Sequence, residues 1–250
     1  MIAEPFAHGT SLLHRLDPRI RVVAAAGLSI VVALAHRYAT LTLALAAGAV
    51  LIALARLPLG AVARRLSVVA GFLVLLWLVL PFSVGGESLF QVGPLTATRA
   101  GIAYTGRITL KTIAILALFL ATVTTMSVAT LGHTLARLRL PDKLIVLLLL
   151  TYRYVFVLEQ EYRRLRRAAD IRGFRPGTNL HSYRTYAYLV GMLLVRASAR
   201  ARRVYQAMCC RGFKGRFYTL ADLSPAPHNR PFALLFGAYG LLLLILELHP

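Results

Sequence analysis

Acidic side chains are scarce. The chain has 250 residues, with nine Asp and Glu against 29 Lys and Arg, a formal net charge of +20. The acids are Glu4, Asp17, Glu87, Asp142, Glu159, Glu161, Asp170, Asp222 and Glu247, and none lies inside a long uncharged run. An ion path through the chain itself normally needs an ionisable group within the membrane. His133, near the end of one run, is expected to be interfacial or capping. Cysteine is almost absent. Cys209 and Cys210 are adjacent, which excludes a four-ligand metal site and a Cys-x-x-Cys pair. They read as two reduced thiols at a helix end. His8, His14, His36, His133, His181, His228 and His249 are scattered, with no His-x-x-x-His pair. No Gly-x-x-x-x-Gly-Lys-Ser/Thr phosphate loop occurs. The clustered acids or histidines of an intramembrane lipid enzyme are not seen.

What is abundant is apolar sequence: 58% hydrophobic, with a mean hydropathy of +0.67. Uncharged runs cover residues 22–35, 38–55, 66–86, 112–136 and 231–246. A hydrocarbon core about 30 Å thick needs roughly 20 apolar residues as helix. The third and fourth runs meet that length. The others are shorter, but Arg21, Arg37, Arg56 and Glu247 flank them, and arginine stems can snorkel to the headgroups. The expectation is an all-α integral membrane protein with about five spans. Residues 1–136 form a membrane part with four spans, 137–230 a cytoplasmic region, and 231–250 a final span. Residues 1–17 are mixed and polar, unlike a secretory signal.

Charge sets the orientation. Residues 137–230 hold 19 of the Lys and Arg and five of the acids, so they are expected in the cytoplasm. Arg15, Arg19 and Arg21 before run one, and Arg56, Arg64 and Arg65 after run two, fall on the same side. The 83–99 loop, with Gly85, Gly86, Glu87, Gly93 and Pro94, falls outside. Arg107 and Lys111 fit least well, at the outer interface. The N-terminus is expected inside, and His249 and Pro250 outside. Arginine and tyrosine interleave at Tyr152, Arg153 and Tyr154 and at Tyr183, Arg184 and Tyr186, but long apolar stripes argue against nucleic acid. Anionic headgroups account for much of the charge.

Two long amphipathic helices fill the basic region. The first opens at Pro141 and Asp142. Its apolar stripe is Leu144, Leu148, Thr151, Val155, Leu158, Tyr162, Leu165 and Ala169, at steps of three and four. The other face carries Arg153, Glu159, Arg163, Arg164, Arg166 and Arg167. It stops at Gly173, before Pro176 and Gly177. The second begins near Ser182, with a stripe of Tyr186, Val190, Leu193, Ala197, Ala201, Val204 and Met208, and ends at Gly212. Arg196, Arg200, Arg202 and Arg203 lie off that stripe. Such helices suit a membrane surface or a partner.

Both helices finish alike. One reads Ala168-Ala169-Asp170-Ile171-Arg172-Gly173-Phe174-Arg175. The other, 39 residues on, reads Ala207-Met208-Cys209-Cys210-Arg211-Gly212-Phe213-Lys214. Glycine at C′ and a base in the last turn are ordinary helix-stop chemistry. Repetition, with each arginine three residues beyond the stripe, is not. An arginine at a helix tip with a small alanine one turn behind it can enter a groove and pair bidentately with a carboxylate. Two such tips suggest two equivalent acceptor sites, hence a dimeric partner.

The paired Ala-x-x-x-Arg-Gly ending resembles the transmembrane coupling (T) component of energy-coupling-factor transporters. Leu16-Asp17-Pro18-Arg19 is similar to that family's opening motif. Tyr205-Gln206-Ala207-Met208, Arg211-Gly212-Phe213-Lys214-Gly215-Arg216-Phe217 and Ser182-Tyr183-Arg184-Thr185-Tyr186 most resemble its cobalt branch, the CbiQ type. The family often has Ala before the motif arginine, where Ile171 and Cys210 stand here. The resemblance implies a non-catalytic subunit of a prokaryotic cytoplasmic membrane. Ala168, Arg172, Gly173, Ala207, Arg211 and Gly212 would bind two cytoplasmic ATPase subunits. ATP and Mg would sit on those subunits, cobalt on a separate substrate-binding membrane subunit, and no cofactor on this chain. Nickel, a vitamin such as biotin, or a passive anchoring role are the alternatives.

Overall fold

The structure is a computed structural model and describes residues 11, 13, 16–85, 88–92, 95–215, 217 and 229–248. The readings made above for the first ten residues, Arg15, Gly86, Glu87, Gly93, Pro94, Arg216, Asp222, His14, His228, His249 and Pro250 lie outside the described residues. The described elements are α1 (Pro18–Leu34), α2 (Tyr38–Leu54), α3 (Leu59–Ser83), β1 (Ser88–Val92), β2 (Leu95–Thr98), α4 (Arg99–Thr122), α5 (Val128–Arg137), α6 (Asp142–Ile171), α7 (Leu180–Cys210) and α8 (Asn229–Leu248). They fall into two compact units: α1–α4 with the strands and α8, and α5–α7.

The Leu16-Asp17-Pro18-Arg19 motif is a helix start. Pro18 occupies the first turn, where its missing N–H costs nothing. The Asp17 carboxylate accepts the Arg19 N–H at 2.9 Å, which satisfies one orphan donor. α3, α4 and α8 are long and apolar enough to cross a bilayer, and α2 is a shorter apolar helix. α1 and α2 have 17 residues each, about 25 Å of rise. The all-α membrane architecture expected from composition is therefore observed, with one addition. The 83–99 segment, expected as a loop, contains the antiparallel β1–β2 hairpin, which pairs Phe90 with Ala97 and Val92 with Leu95.

α4 packs against α1, α2 and α3, and α8 closes the unit against α1 and α2. Small residues permit the close approach that lipid-embedded helices need, because lipid supplies no hydrophobic drive between them. Ala44, Ala114 and Ala121 are fully buried. A Cβ added at Gly48 would come within 2.8 Å of the Ala117 Cβ.

Hydrogen bonds fix the helix directions. At one end of the unit, Glu247 of α8 accepts from His36 N (2.7 Å) and Thr40 Oγ1 (3.1 Å) at the α1–α2 turn. There Tyr38 Oη donates to Ala103 O (2.7 Å) and Lys111 Nζ to Ala33 O (2.9 Å) of α4 and α1 respectively. At the other end, Arg21 Nη1 donates to Leu13 O (2.8 Å) and to Thr125 Oγ1 (3.1 Å), just beyond α4. So α1 and α8 run one way, and α4 returns. The start of α1, the end of α4 and the start of α8 therefore lie at one end of this unit.

Two expectations are corrected here. The run 112–136 is not one span. α4 begins 13 residues earlier, at Arg99, where Thr98 Oγ1 accepts from Gly101 N. It takes in Arg107 and Lys111 because each finds a partner on a neighbouring element, Arg107 lying 5.9 Å over the Tyr38 ring. The run then breaks at residues 123–127. There Thr122, Thr124 and Thr125 bond back to carbonyls four residues earlier, a habit that bends and weakens helices. Arg21 does not snorkel. It is 4% exposed and clamps Leu13 to Thr125, whereas Arg37 and Arg56 are exposed as expected. Arg21→Met is expected to cost about 3 kcal/mol, since it strips a charged donor from two buried acceptors. Thermal unfolding of purified protein should show a lower midpoint, and an unchanged midpoint would contradict this role.

In the second unit, α5 packs on α6 and α6 on α7. α6 and α7, of 30 and 31 residues, are each about 45 Å long. The expected stripes are partly corrected. Leu148, Leu158, Tyr162, Leu165 and Ala169 of α6 are at least half-buried, but Leu144, Thr151 and Val155 are exposed. α5 takes the start of α6 on a neighbouring face, through buried Ile145 and through Leu149, whose Cδ2 would lie 2.6 Å from a Cβ at Gly132. On α7, Tyr186, Leu193, Ala197, Val204 and Met208 are half-buried, while Val190 and Ala201 are exposed. Among the described residues, the main packing partner of α7 is α6.

Candidate functional site

The repeated sequence becomes a repeated shape. At the end of α6, Gly173 has φ +81°, its N–H donates to Asp170 O at 3.0 Å, and Phe174 N–H donates to Ala169 O at 3.1 Å. At the end of α7, Gly212 has φ +79°, with Gly212 N to Cys209 O and Phe213 N to Met208 O both at 3.0 Å. These bonds, from C′ to C2 and from C″ to C3, define the Schellman motif. In both helices the motif places the arginine at the cap, with φ −82°, ψ 14° at Arg172 and φ −90°, ψ 11° at Arg211.

The chemistry of the tips follows from that geometry. Ala168, Arg172 and Gly173 gather at one tip, and Ala207, Arg211 and Gly212 at the other; all six are exposed. Beside them stand Ile171, 87% exposed, and the exposed thiols of Cys209 and Cys210, which form no disulfide. Each tip thus offers a guanidinium next to uncovered apolar or thiol surface. That combination suits a carboxylate-bearing protein groove better than free water.

The two sites are not brought together. Phe174 packs edge-on against Tyr186 (5.6 Å between centroids) and tilts against His181 (6.2 Å), holding the α6 tip to the start of α7. Phe213, beyond the α7 tip, borders a groove shared with Val146, Leu150 and Tyr154 near the start of α6. The helices are therefore antiparallel, and the tips lie roughly one helix length apart, about 45 Å. Between them Arg196 of α7 bonds Glu161 of α6, and Arg164 lies 3.7 Å from the same carboxylate. The Arg196 hydrogen bond holds the Glu161 carboxyl below its usual range. This crossing tie is present at neutral pH and is lost only as pH falls below that depressed value. Arg172 borders a groove of about 570 Å³ with Leu165, Phe174 and Met192.

α7 begins at Leu180, two residues ahead of Ser182 and in keeping with the expected start near it. Asn179 Oδ1 accepts from Ser182 N at 2.8 Å, and the buried Ser182 Oγ accepts from Gly177 N at 3.0 Å. An Asn three residues ahead of a Ser is a readable capping signal. Among the described residues no three His, Cys, Asp or Glu side chains gather closely enough to hold a metal ion.

Comparison with known proteins bears on this geometry. Residues 9–219 match the CbiQ family, described as cobalt transport protein. The chain is 30% identical over 220 residues to the energy-coupling factor transporter transmembrane protein EcfT of Heliobacterium modesticaldum, covering 82% of each chain. It is 26% identical over 234 residues to EcfT of Listeria innocua, covering 86% of this chain and 85% of that one. It is 35% identical over 111 residues to the cobalt transport protein CbiQ of Rhodobacter capsulatus, 44% of each chain. With twin helix tips on an all-α membrane scaffold, this chain belongs to the CbiQ/EcfT family of transmembrane components of energy-coupling factor transporters.

Proposed function

We propose that this chain is the mechanical coupler of an ATP-driven cobalt importer. Two cytoplasmic ATPase subunits each receive one tip, Arg172 with Ala168 and Gly173, or Arg211 with Ala207 and Gly212. ATP and Mg bind those subunits, and cobalt binds a separate substrate-binding membrane subunit. When the ATPase dimer closes, the tips move, and α6 and α7 shift about their Glu161–Arg196 crossing. This motion reorients the substrate-binding subunit. The observation that carries the reading is the matched pair of arginine-capped Schellman ends, about 45 Å apart. Two equal plugs suit two equal sockets.

Cobalt is favoured by the family description and by the Rhodobacter capsulatus relative. Orientation follows from charge. Residues 137–230 carry 19 of the Lys and Arg, and Lys and Arg accumulate on the cytoplasmic side. The N-terminus and residues 137–230 then face the cytosol and the C-terminus faces out. Affinity purification in mild detergent should bring down two copies of an ATP-hydrolysing subunit, or one each of two related ones, and a small membrane protein. Recovery of the chain with no ATPase polypeptide would remove the proposal.

A further inference from the structure

α1 and α8 do not close on each other along their whole length. Near the ends where both helices start they leave an open groove of about 370 Å³, lined by Val23 and Gly27 from α1 and by Ala233, Phe236 and Gly237 from α8, with Arg19 at one end. The groove is wide because two glycines line it: a Cβ at Gly27 or Gly237 would meet nothing within 4 Å. Its volume falls in the usual range for small-molecule sites, about 300–1,000 Å³.

Its chemistry is sharply divided. The walls are apolar. The half-buried Arg19 brings a guanidinium to one end of that lining, and its Nε has no hydrogen-bond partner among the described residues. A buried guanidinium N–H without a partner is costly, and its natural complement is an anionic oxygen, phosphate above all. A molecule with a phosphate at one end and an alkyl chain at the other satisfies both halves.

We infer that the α1–α8 groove is a binding site for one anionic phospholipid, its phosphate on Arg19 and one acyl chain lying past Gly27 and Gly237 between the helices. The helices that form it belong to the membrane unit, so a bilayer lipid reaches the groove from the side. Position supports the charge assignment. Arg19 stands in the first turn of α1, at one end of the membrane unit, and a basic residue near a membrane surface gains from anionic lipid. The inference does not depend on the coupling role.

The test uses the full-length chain, reconstituted in nanodiscs of dioleoylphosphatidylglycerol or dioleoylphosphatidylcholine and released for native mass spectrometry. Wild type is expected to retain one phosphatidylglycerol and to retain phosphatidylcholine less, by about fivefold, one basic residue's share near an anionic surface. Arg19→Gln should erase that preference. Gly27→Leu should remove retention of either lipid without lowering the thermal midpoint, because the new side chain enters open space. Gly237→Leu plugs the opposite wall and serves as the second variant. Equal retention of the two lipids by wild type, or undiminished retention by both plugged variants, would overturn the site. So would a photo-reactive residue at position 27 that cross-links to another polypeptide in membranes, since the groove would then seat a protein helix.

Discussion

Cells carrying Arg172→Glu together with Arg211→Glu are expected to accumulate no cobalt above the level of cells lacking the transporter. The position of the two guanidinium groups sets this outcome. Both cap a helix end and both are exposed. Reversing them should leave the chain inserted at its normal level, which an immunoblot of membranes checks. Docking should suffer heavily. Breaking a buried, hydrogen-bonded charge pair at an interface costs about 2–5 kcal/mol, a loss of roughly 30- to several-thousand-fold in affinity. Reversal adds repulsion against the acceptor carboxylate. Each single variant should lose most transport while still copurifying with some ATPase through its remaining tip. The double variant should lose the ATPase subunits altogether. Full cobalt uptake by the double variant would end the coupling reading, and loss of uptake with undiminished ATPase copurification would move the arginines' role away from docking.

The outcome for single variants also separates a coupler from a passive anchor. An anchor holding a peripheral complex works with one attachment left. A coupler does not, because closure of an ATPase dimer is transmitted only if both halves pull on the crossed pair. The Glu161–Arg196 tie lies between the tips, so under the proposed coupling role force applied at Arg172 and at Arg211 would meet there.

Much of this was legible in the sequence, and what was not has identifiable causes. The tips were legible because backbone geometry dictates them: a left-handed residue that closes a helix is almost always glycine, so Arg-Gly-Phe written twice is a shape written twice. The α1 start was legible for a similar reason, through Asp17 and Pro18. The fourth span was misplaced because counting uncharged residues treats every charge as a boundary. Arg107 and Lys111 sit within α4 because Tyr38 and the Ala33 carbonyl receive them, and such partners are remote in sequence. Arg21 was misread as a snorkelling flank for the same reason, its partners being Leu13 and, 104 residues away, Thr125. The start of α6 turned its face toward α5 because Gly132 leaves room for Leu149, a local fit that periodicity does not register. Side-chain period finds a helix and its ends; it does not say which neighbour a face will meet.

The glycines provide the second large test, one that leaves both arginines in place. At φ +81° and +79°, Gly173 and Gly212 occupy a region where a side chain costs about 1–2 kcal/mol, yet a Cβ at either would touch nothing within 4 Å. Substitution therefore perturbs conformation and not packing. Replacing both by Val should unwind the two caps, free Phe174 and Phe213 from their bonds to Ala169 and Met208, and swing the arginines off axis. Cobalt uptake should fall at least tenfold for the pair, since misplacement strains two docking contacts at once. Asn accepts the left-handed region better than other side-chain-bearing residues. Uptake is thus expected to rank Gly above Asn, Asn above Ala, and Ala above Val, at near-constant membrane abundance. A flat series would mean that the arginines reach their sockets from an unstructured end and that the matched caps are incidental. A graded series tied to left-handed propensity, with no change in the thermal midpoint of the membrane unit, would show that the tip's shape is what the partner reads.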